Sequence, residues 1–305
     1  MKVIGITGGT GFVGVSLTRL LVEKGYNVIV FTRSITLPAS KKGVTYVSWN
    51  PEKSTIDLVA LKKIDAVVHL AGTGISDQRW TQQRKKEILN SRIKSTEFLV
   101  AQLKEHCRYC ERFVSASAAC IYGPDQPGGA PFKEDNPAFN DFLGNTCQQW
   151  EANALKAANL MYTTILRFGL VLGKNGGVLP QYGQHIDFGI MPVLGYGNQV
   201  ISWIEVTDLC RMILFALEND TVYGIYNAVS PMPVTHKTLM KVIANANGIV
   251  KKPSPAPAFM LKILMGELSA ELLKSCNVSA QKIIDAGFVF QHPQIEDAMK
   301  SITCI

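Results

Sequence analysis

Three glycines near the start of the chain, Gly8, Gly11 and Gly14, stand in Gly-x-x-Gly-x-x-Gly spacing within Thr7-Gly8-Gly9-Thr10-Gly11-Phe12-Val13-Gly14. Residues without a Cβ let the backbone approach a pyrophosphate and let a helix pack closely on a strand. The free N–H groups of the helix start, aided by the helix dipole, favour the negative charge. The flanks fit that chemistry: Lys2–Ile6 reads as a buried strand, and Leu17, Leu20 and Leu21 give the following helix an apolar face. Gly8, Thr10, Gly11, Phe12, Val13 and Gly14 are therefore expected to hold a dinucleotide.

The end of the next strand specifies which one. Asn27–Phe31 is apolar and β-branched and ends at Thr32-Arg33-Ser34. A site for NAD places Asp or Glu about 20 residues past the glycines, on the ribose 2′-OH. No acid stands here. Arg33 offers a planar cationic fork for a 2′-phosphate, with the Thr32 and Ser34 hydroxyls beside it. The spacing predicts NADP(H), the alternative being a solvated loop cation.

Elements that would position these residues alternate through the first two-thirds of the chain. Strands read at 44–49, 65–70, 113–117 and 162–168, and helices at 81–106 and 145–159. Strands separated by helices imply parallel units with right-handed crossovers, and ligands lie beyond the carboxyl ends of such strands. Gly8, Arg33, Ala71 (between Leu70 and Gly72), Ser117 and Gly169 fall at those ends. Residues 173–202 are glycine-rich and read as a substrate-lobe insertion holding His185, either a ligand contact or simply exposed. Asp208 is expected to cap or support the helix running to Leu217, and 224–229 reads as a strand rejoining the sheet. A helix at 235–247 stopped by Gly248, a proline-rich link at 253–257 and short apolar helices near 259–264 and 270–273 follow. A last helix is expected from Ser279. The expected fold is α/β: a Rossmann-type doubly wound parallel sheet over 1–172, completed by 203–230. A smaller, mostly helical C-terminal substrate lobe is expected from 173–202 and 231–305.

The 305 residues are 47% hydrophobic with net charge +7, enough for a large core and suited to anionic ligands. No basic stripe interleaved with aromatics suggests nucleic acid. No apolar run has membrane-spanning length, and no signal peptide is evident, so a cytoplasmic protein is expected, with its oligomeric state open. Seven cysteines are scattered; Cys107 and Cys110 form a CxxC without a second ligand pair, which favours free thiols over zinc or redox chemistry. Met260 and Met265 belong to an apolar helical face, read as core packing ahead of a pocket lining.

The chain resembles the extended and atypical branches of the short-chain dehydrogenase/reductase superfamily. Thr7–Gly14, Leu70-Ala71-Gly72, the stretch from Ser115 to Tyr122-Gly123, and Arg167–Gly173 carry the resemblance. Arg79-Trp80-Thr81, Ser91-Arg92, Trp150-Glu151, Gly176-Gly177, Ser202-Trp203-Ile204, 227–235 and Gly266-Glu267 are similar to one branch, the epimerase family 39U, with its C-terminal domain of unknown function. The resemblance implies NADP(H) binding, with Thr32 and Arg33 at the adenosine phosphate, Leu70 and Ala71 along the cofactor, and Glu87 and Arg92 on the facing helix. It also implies a Tyr-x-x-x-Lys pair, but the matching stretch reads Cys147-Gln148-Gln149-Trp150-Glu151. Glu151 in the lysine slot would raise the pKa of a neighbouring acid, so Cys147 is expected to stay protonated without a cation beside it. The remaining catalytic candidates are Ser117, otherwise a strand-end polar residue, and Tyr122, otherwise a packing residue. Arg79, Arg92 and Arg167 are candidate anion contacts, with Arg92 foremost. An oxidoreductase of epimerase type acting on an unknown small molecule is the favoured reading, and a non-catalytic NADP(H) sensor the alternative.

Overall fold

The computed structural model describes every residue except Met1, Ile35, Leu37, Pro38, Ser40, Pro127, Gln181, 183–190, 247–252, Cys304 and Ile305. His185 and Gly248 lie outside the described residues. The strands β1 (Val3–Thr7), β2 (Asn27–Thr32), β3 (Val44–Asn50), β4 (Thr55–Ile56), β5 (Ala66–His69), β6 (Arg112–Ala118) and β7 (Tyr162–Phe168) join the edge strand Gly224–Ala228 in one sheet. Reading across from that edge strand, the order is β7-β6-β5-β1-β2-β3-β4. All pairings are parallel except β3 with β4. The order reverses between β1 and β5, which opens a crevice at their carboxyl ends.

Helices α1 (Phe12–Glu23), α2 (Leu58–Leu61), α3 (Gln82–His106) and α4 (Phe142–Leu155) cover the sheet with the helix Val206–Glu218. Leu17 and Leu21 of α1 share one core with Leu209, Ile213 and Leu217 and with Ile4, Ile6 and Val30 of the sheet. The opposite face buries Ile29, Phe31, Val67, Phe113 and Ile165 under Leu61, Leu99, Leu103 and Ala154. Helices thus lie on both faces of a parallel sheet, a Rossmann-type doubly wound α/β fold. A further core unites Leu172, Met191, Val193 and Trp203 with Leu239, Ile243, Ala298 and Ile302.

Several elements differ from the sequence expectation. Residues 253–256 form a strand, paired in parallel with Met191–Leu194, because alternate prolines remain compatible with an edge. The helix Val206–Glu218 is capped by Glu205, whose carboxylate accepts from the Thr207 and Asp208 amides. Asp208 supports that helix rather than capping it, from the first turn, where it pairs with Arg211 and accepts from the Gln291 and His292 amides. α4 starts earlier than expected because Asp141 caps it, accepting from Gly144 N at 2.7 Å. A final helix, Ile295–Thr303, was not anticipated. On the helix Ala258–Met265 only Leu261 is buried; Met260 is exposed beside Phe259, Ile263 and Leu264, so core packing is the wrong description of it.

One buried polar relay fixes α3 over the sheet. His69, fully buried at the end of β5, sits between Thr7 Oγ1 (2.7 Å from Nδ1) and Thr96 Oγ1 (2.9 Å from Nε2), and Thr96 donates onward to Arg92 O. Burial pushes the imidazole down to about 3, from an ordinary value of 6.5. The unfolded chain therefore binds a proton that the folded chain refuses, and stability is lost as pH falls below 6.5. Between pH 7 and pH 5 the His69 contribution is about 2 kcal/mol. Urea unfolding should show that loss shrinking by about that amount in His69→Gln; an unchanged pH dependence would contradict the relay.

Candidate functional site

The turn after β1 makes the crevice. Gly8 has φ +72, and a Cβ there would lie 2.7 Å from the Leu70 carbonyl; one on Gly14 would lie 2.3 Å from Gly8 O. These glycines bring β1, β5 and α1 together. Gly11 differs: a Cβ on it would meet only Gly8 O, at 3.3 Å, and is otherwise open. Gly11 is also the N-cap of α1, with no side-chain cap and no acid in the first turn. The first-turn amides are left for a ligand oxygen.

The crevice holds about 1090 Å³. Gly8, Thr10, Gly11, Thr32, Arg33, Ser34, Leu70, Ala71, Gly72 and Glu87 border it. Arg33 is exposed at its rim without a partner among the described residues, while Thr32 Oγ1 is engaged by the Ser34 amide at 3.2 Å. Sequence reasoning missed the far wall, where Trp49 and Phe98 stack at 6.3 Å. It also missed Arg84, Ser91 and Lys94. The three- and four-residue steps Arg84, Glu87, Ser91, Ser95, Phe98 on α3 were the readable signal. Phe12, Val13 and Gly14 do not border this crevice. Phe12 packs against Gly173, Gly176 and Gly177, and Val13 against the main core.

Arg92 also lies beneath the crevice rather than in its lining. Its Nη1 donates to Thr73 O (3.0 Å) and Ile88 O (3.1 Å), and its guanidinium stacks on Trp150 at 5.2 Å. It supports the loop after β5. Burial pulls its pKa down, while the Cys147 and Cys120 thiols oppose that shift. A cation therefore does stand within electrostatic reach of Cys147, contrary to the sequence expectation.

The catalytic register is closed by internal bonds. Ser117, Arg167 and Asn227 are juxtaposed by strand register. Ser117 Oγ donates to Glu151 Oε1 at 2.6 Å. Arg167 clasps both Glu151 oxygens at 2.8 Å and donates to Tyr122 Oη at 2.7 Å, and Tyr122 donates to Asn227 Oδ1 at 2.8 Å. Burial pushes the Tyr122 phenol up to about 12. All five residues are buried. Glu151 is thus the counter-ion of Arg167. The Cys147 thiol meets Cys120 Sγ at 3.8 Å. The hydrogen bond to Cys147 and burial hold the Cys120 thiol well above its ordinary range. Cys107 and Cys110 each donate to a backbone carbonyl. Arg79 lies against Gly266.

A second cavity, of about 300 Å³, adjoins the carboxyl ends of β6 and β7. Ala118, Cys120, Phe168 and Gly169 line it with Val178, Leu194 and Ile201, and Leu272 lines it from the C-terminal segment. Ser117 and Tyr122 are outside its lining. Tyr182, His236, Glu271, Lys274 and Cys276 border it and were not anticipated. Burial raises the Glu271 carboxyl, although Lys274 lies 2.8 Å away. Met265 packs in a small cluster with Trp80, Leu143 and Leu268.

Removing one member of a buried ion pair strands the other, at a cost of about 3–5 kcal/mol. Arg167→Met should destabilise the protein by that amount in urea, and adding Glu151→Leu should recover part of it. Equal stability of Arg167→Met and the parent would refute the pairing.

Residues 4–228 match the family described as NAD dependent epimerase/dehydratase, and residues 256–302 match a domain of unknown function, DUF1731. The epimerase family protein YfhF of Bacillus subtilis (strain 168) is 33% identical over 303 residues, 98% of this chain and 97% of the relative. The epimerase family protein SDR39U1 homolog, chloroplastic, of Arabidopsis thaliana is 33% identical over 309 residues, 98% of this chain and 86% of the relative. The crystal structure of human epimerase family protein SDR39U1 (isoform2) with NADPH superposes with TM-score 0.87 at 27% identity, covering 99% of both chains. MoeE5 in complex with UDP-glucuronic acid and NAD, 20% identical, shares the fold with TM-score 0.81 over 99% of this chain and 98% of its own. With a family match across the whole sheet and relatives aligned from end to end, the chain belongs to the NAD dependent epimerase/dehydratase family.

Proposed function

We propose that the protein binds NADP(H) in the crevice and acts as an oxidoreductase on a small molecule held in the adjoining cavity. The observation that carries this is Arg33 at the end of β2, without a partner among the described residues, where an NAD site would present an acid. The residues present fit the group: the open side of Gly11 and the uncapped start of α1 suit a pyrophosphate. Arg33 suits a 2′-phosphate, with Thr32 and Ser34 beside it. Leu70, Ala71 and Gly72 line the middle of the crevice, and Glu87 faces them from α3. When bound, the nicotinamide supplies hydride chemistry. The human relative's NADPH supports the choice of cofactor. In this reading 1–172 with 203–230 carries the cofactor, and 173–202 with 231–305 encloses the substrate.

A non-catalytic NADP(H) sensor is the second reading. It is favoured by the internal bonding of Ser117 and Tyr122 and by Cys147 and Glu151 in the usual tyrosine and lysine positions. The second, mainly apolar cavity beside the crevice favours the enzyme, since a sensor has no need of it. A screen of NADPH oxidation against carbonyl compounds and sugar nucleotides separates the two: turnover of any member supports the enzyme, and none supports the sensor.

Arg33→Ala should weaken NADPH about 10- to 100-fold, the effect of losing a hydrogen bond to a charged group, with NADH nearly unaffected. Calorimetric titration checks this, and equal affinities of the parent protein for both cofactors would refute it. Gly11→Val should keep the free protein's melting temperature but lose its stabilisation by NADPH. Gly14→Val should lower that melting temperature outright, because its Cβ would collide with Gly8 O and Gly9 Cα.

A further inference from the structure

Among the described residues, the 300 Å³ cavity contains one polar pair whose bonding is incomplete. Ser202 Oγ donates to Cys276 O and accepts from Val278 N. Cys276 donates to Ala119 O. Lys274 Nζ is taken up by Cys120 O, Tyr122 O and Glu271. Among the described residues the phenol of Tyr182 has only His236 Nε2, at 3.3 Å, and His236 Nδ1 is buried with no hydrogen-bond partner. The two rings meet edge to face at 6.0 Å.

His236 is 2% exposed, and burial pushes its pKa down to about 4, so the imidazole is neutral near pH 7 and carries one N–H. With the proton on Nδ1, a buried N–H would have no acceptor, which folded proteins seldom tolerate. With the proton on Nε2, the imidazole donates to Tyr182 Oη and the unpaired atom is only a lone pair. The Tyr182 O–H then has no acceptor among the described residues and is left for the cavity. Burial holds the phenol up at about 12, so this donor stays protonated at neutral pH.

We propose that Tyr182, oriented by His236, is the donor that anchors an acceptor oxygen of a compact, mainly apolar carbonyl substrate in this cavity. The inference rests on the reading of the cavity as the substrate's side of the site. The chemistry of the walls fits it. Leucine, isoleucine, valine and phenylalanine side chains supply most of the surface, and the charged pair Glu271–Lys274 is already neutralised. A sugar diphosphate would need free cations and many donors, which the described residues of these walls do not offer. His236 is a positioning residue, since its part in the proposal is to hold the Tyr182 oxygen through Nε2.

Acetophenone and ethylbenzene are matched probes, alike in shape but differing by the carbonyl oxygen. Ligand-observed NMR titrations should show the parent protein preferring acetophenone by about 2- to 12-fold, the range of one neutral hydrogen bond. Tyr182→Phe should bring the two probes to equal affinity while leaving the NADPH titration unchanged. The ¹⁵N shifts of His236 in the unaltered protein should place the proton on Nε2, and this holds as a test even if Tyr182→Phe does not fold. A preference retained in Tyr182→Phe, a proton on Nδ1, or a failure of both aromatic probes to bind, with or without binding of UDP-glucose, overturns the proposal. Loss of NADPH binding in the parent with the acetophenone preference intact would instead defeat the cofactor reading alone.

Discussion

The clasp of Arg167 on Glu151 organises this molecule more than any other single interaction. Two charges taken out of water must be matched closely or they cost more than they return. Here the guanidinium meets both carboxylate oxygens, and the spare capacity is filled by Ser117 and Tyr122. β6, β7, the edge strand Gly224–Ala228 and α4 are thereby held in one arrangement at the carboxyl edge of the sheet. That arrangement fixes the part of the smaller cavity's lining that β6 and β7 supply. It also consumes the serine and tyrosine that a family resemblance would nominate for proton transfer.

A division of labour follows from the topology. The crevice opens where the sheet order reverses, between β1 and β5, and its polar and charged rim suits an extended anionic ligand. The cavity lies further along the same edge and is lined chiefly by apolar side chains. The loop after β5 borders both, Thr73 lining the crevice and Ile75 the cavity. Arg92 braces that loop from below, so a buried cation serves geometry at the junction of the two spaces.

The crevice was largely legible in the sequence because its determinants are local. Glycine spacing, a strand before it, an amphipathic helix after it and Arg33 at the next strand end are short-range signals. The three- and four-residue steps along α3 were equally readable and were overlooked. The cavity was not legible. Tyr182, His236 and Lys274 are far apart in the chain and have no shared spacing, and only the folding of the C-terminal segment onto the sheet brings them to one wall. The strand Pro253–Ala256 failed for a related reason, since its prolines suggest a link until its partner Met191–Leu194 is known. Glu151 misled because its partner lies on another element: a carboxylate four residues from a thiol looked like that thiol's neighbour, yet its charge is spent on β7.

The same contrast in range bears on how the protein comes into being. Every described residue bordering the crevice lies between Gly8 and Ala101, whereas the cavity draws on residues from Ile75 to Cys276. Domains synthesised from the N-terminus meet their contacts in that order. The nascent chain therefore has the described lining of the crevice in hand while later segments that line the cavity are still unmade, and the pocket beside it forms afterwards.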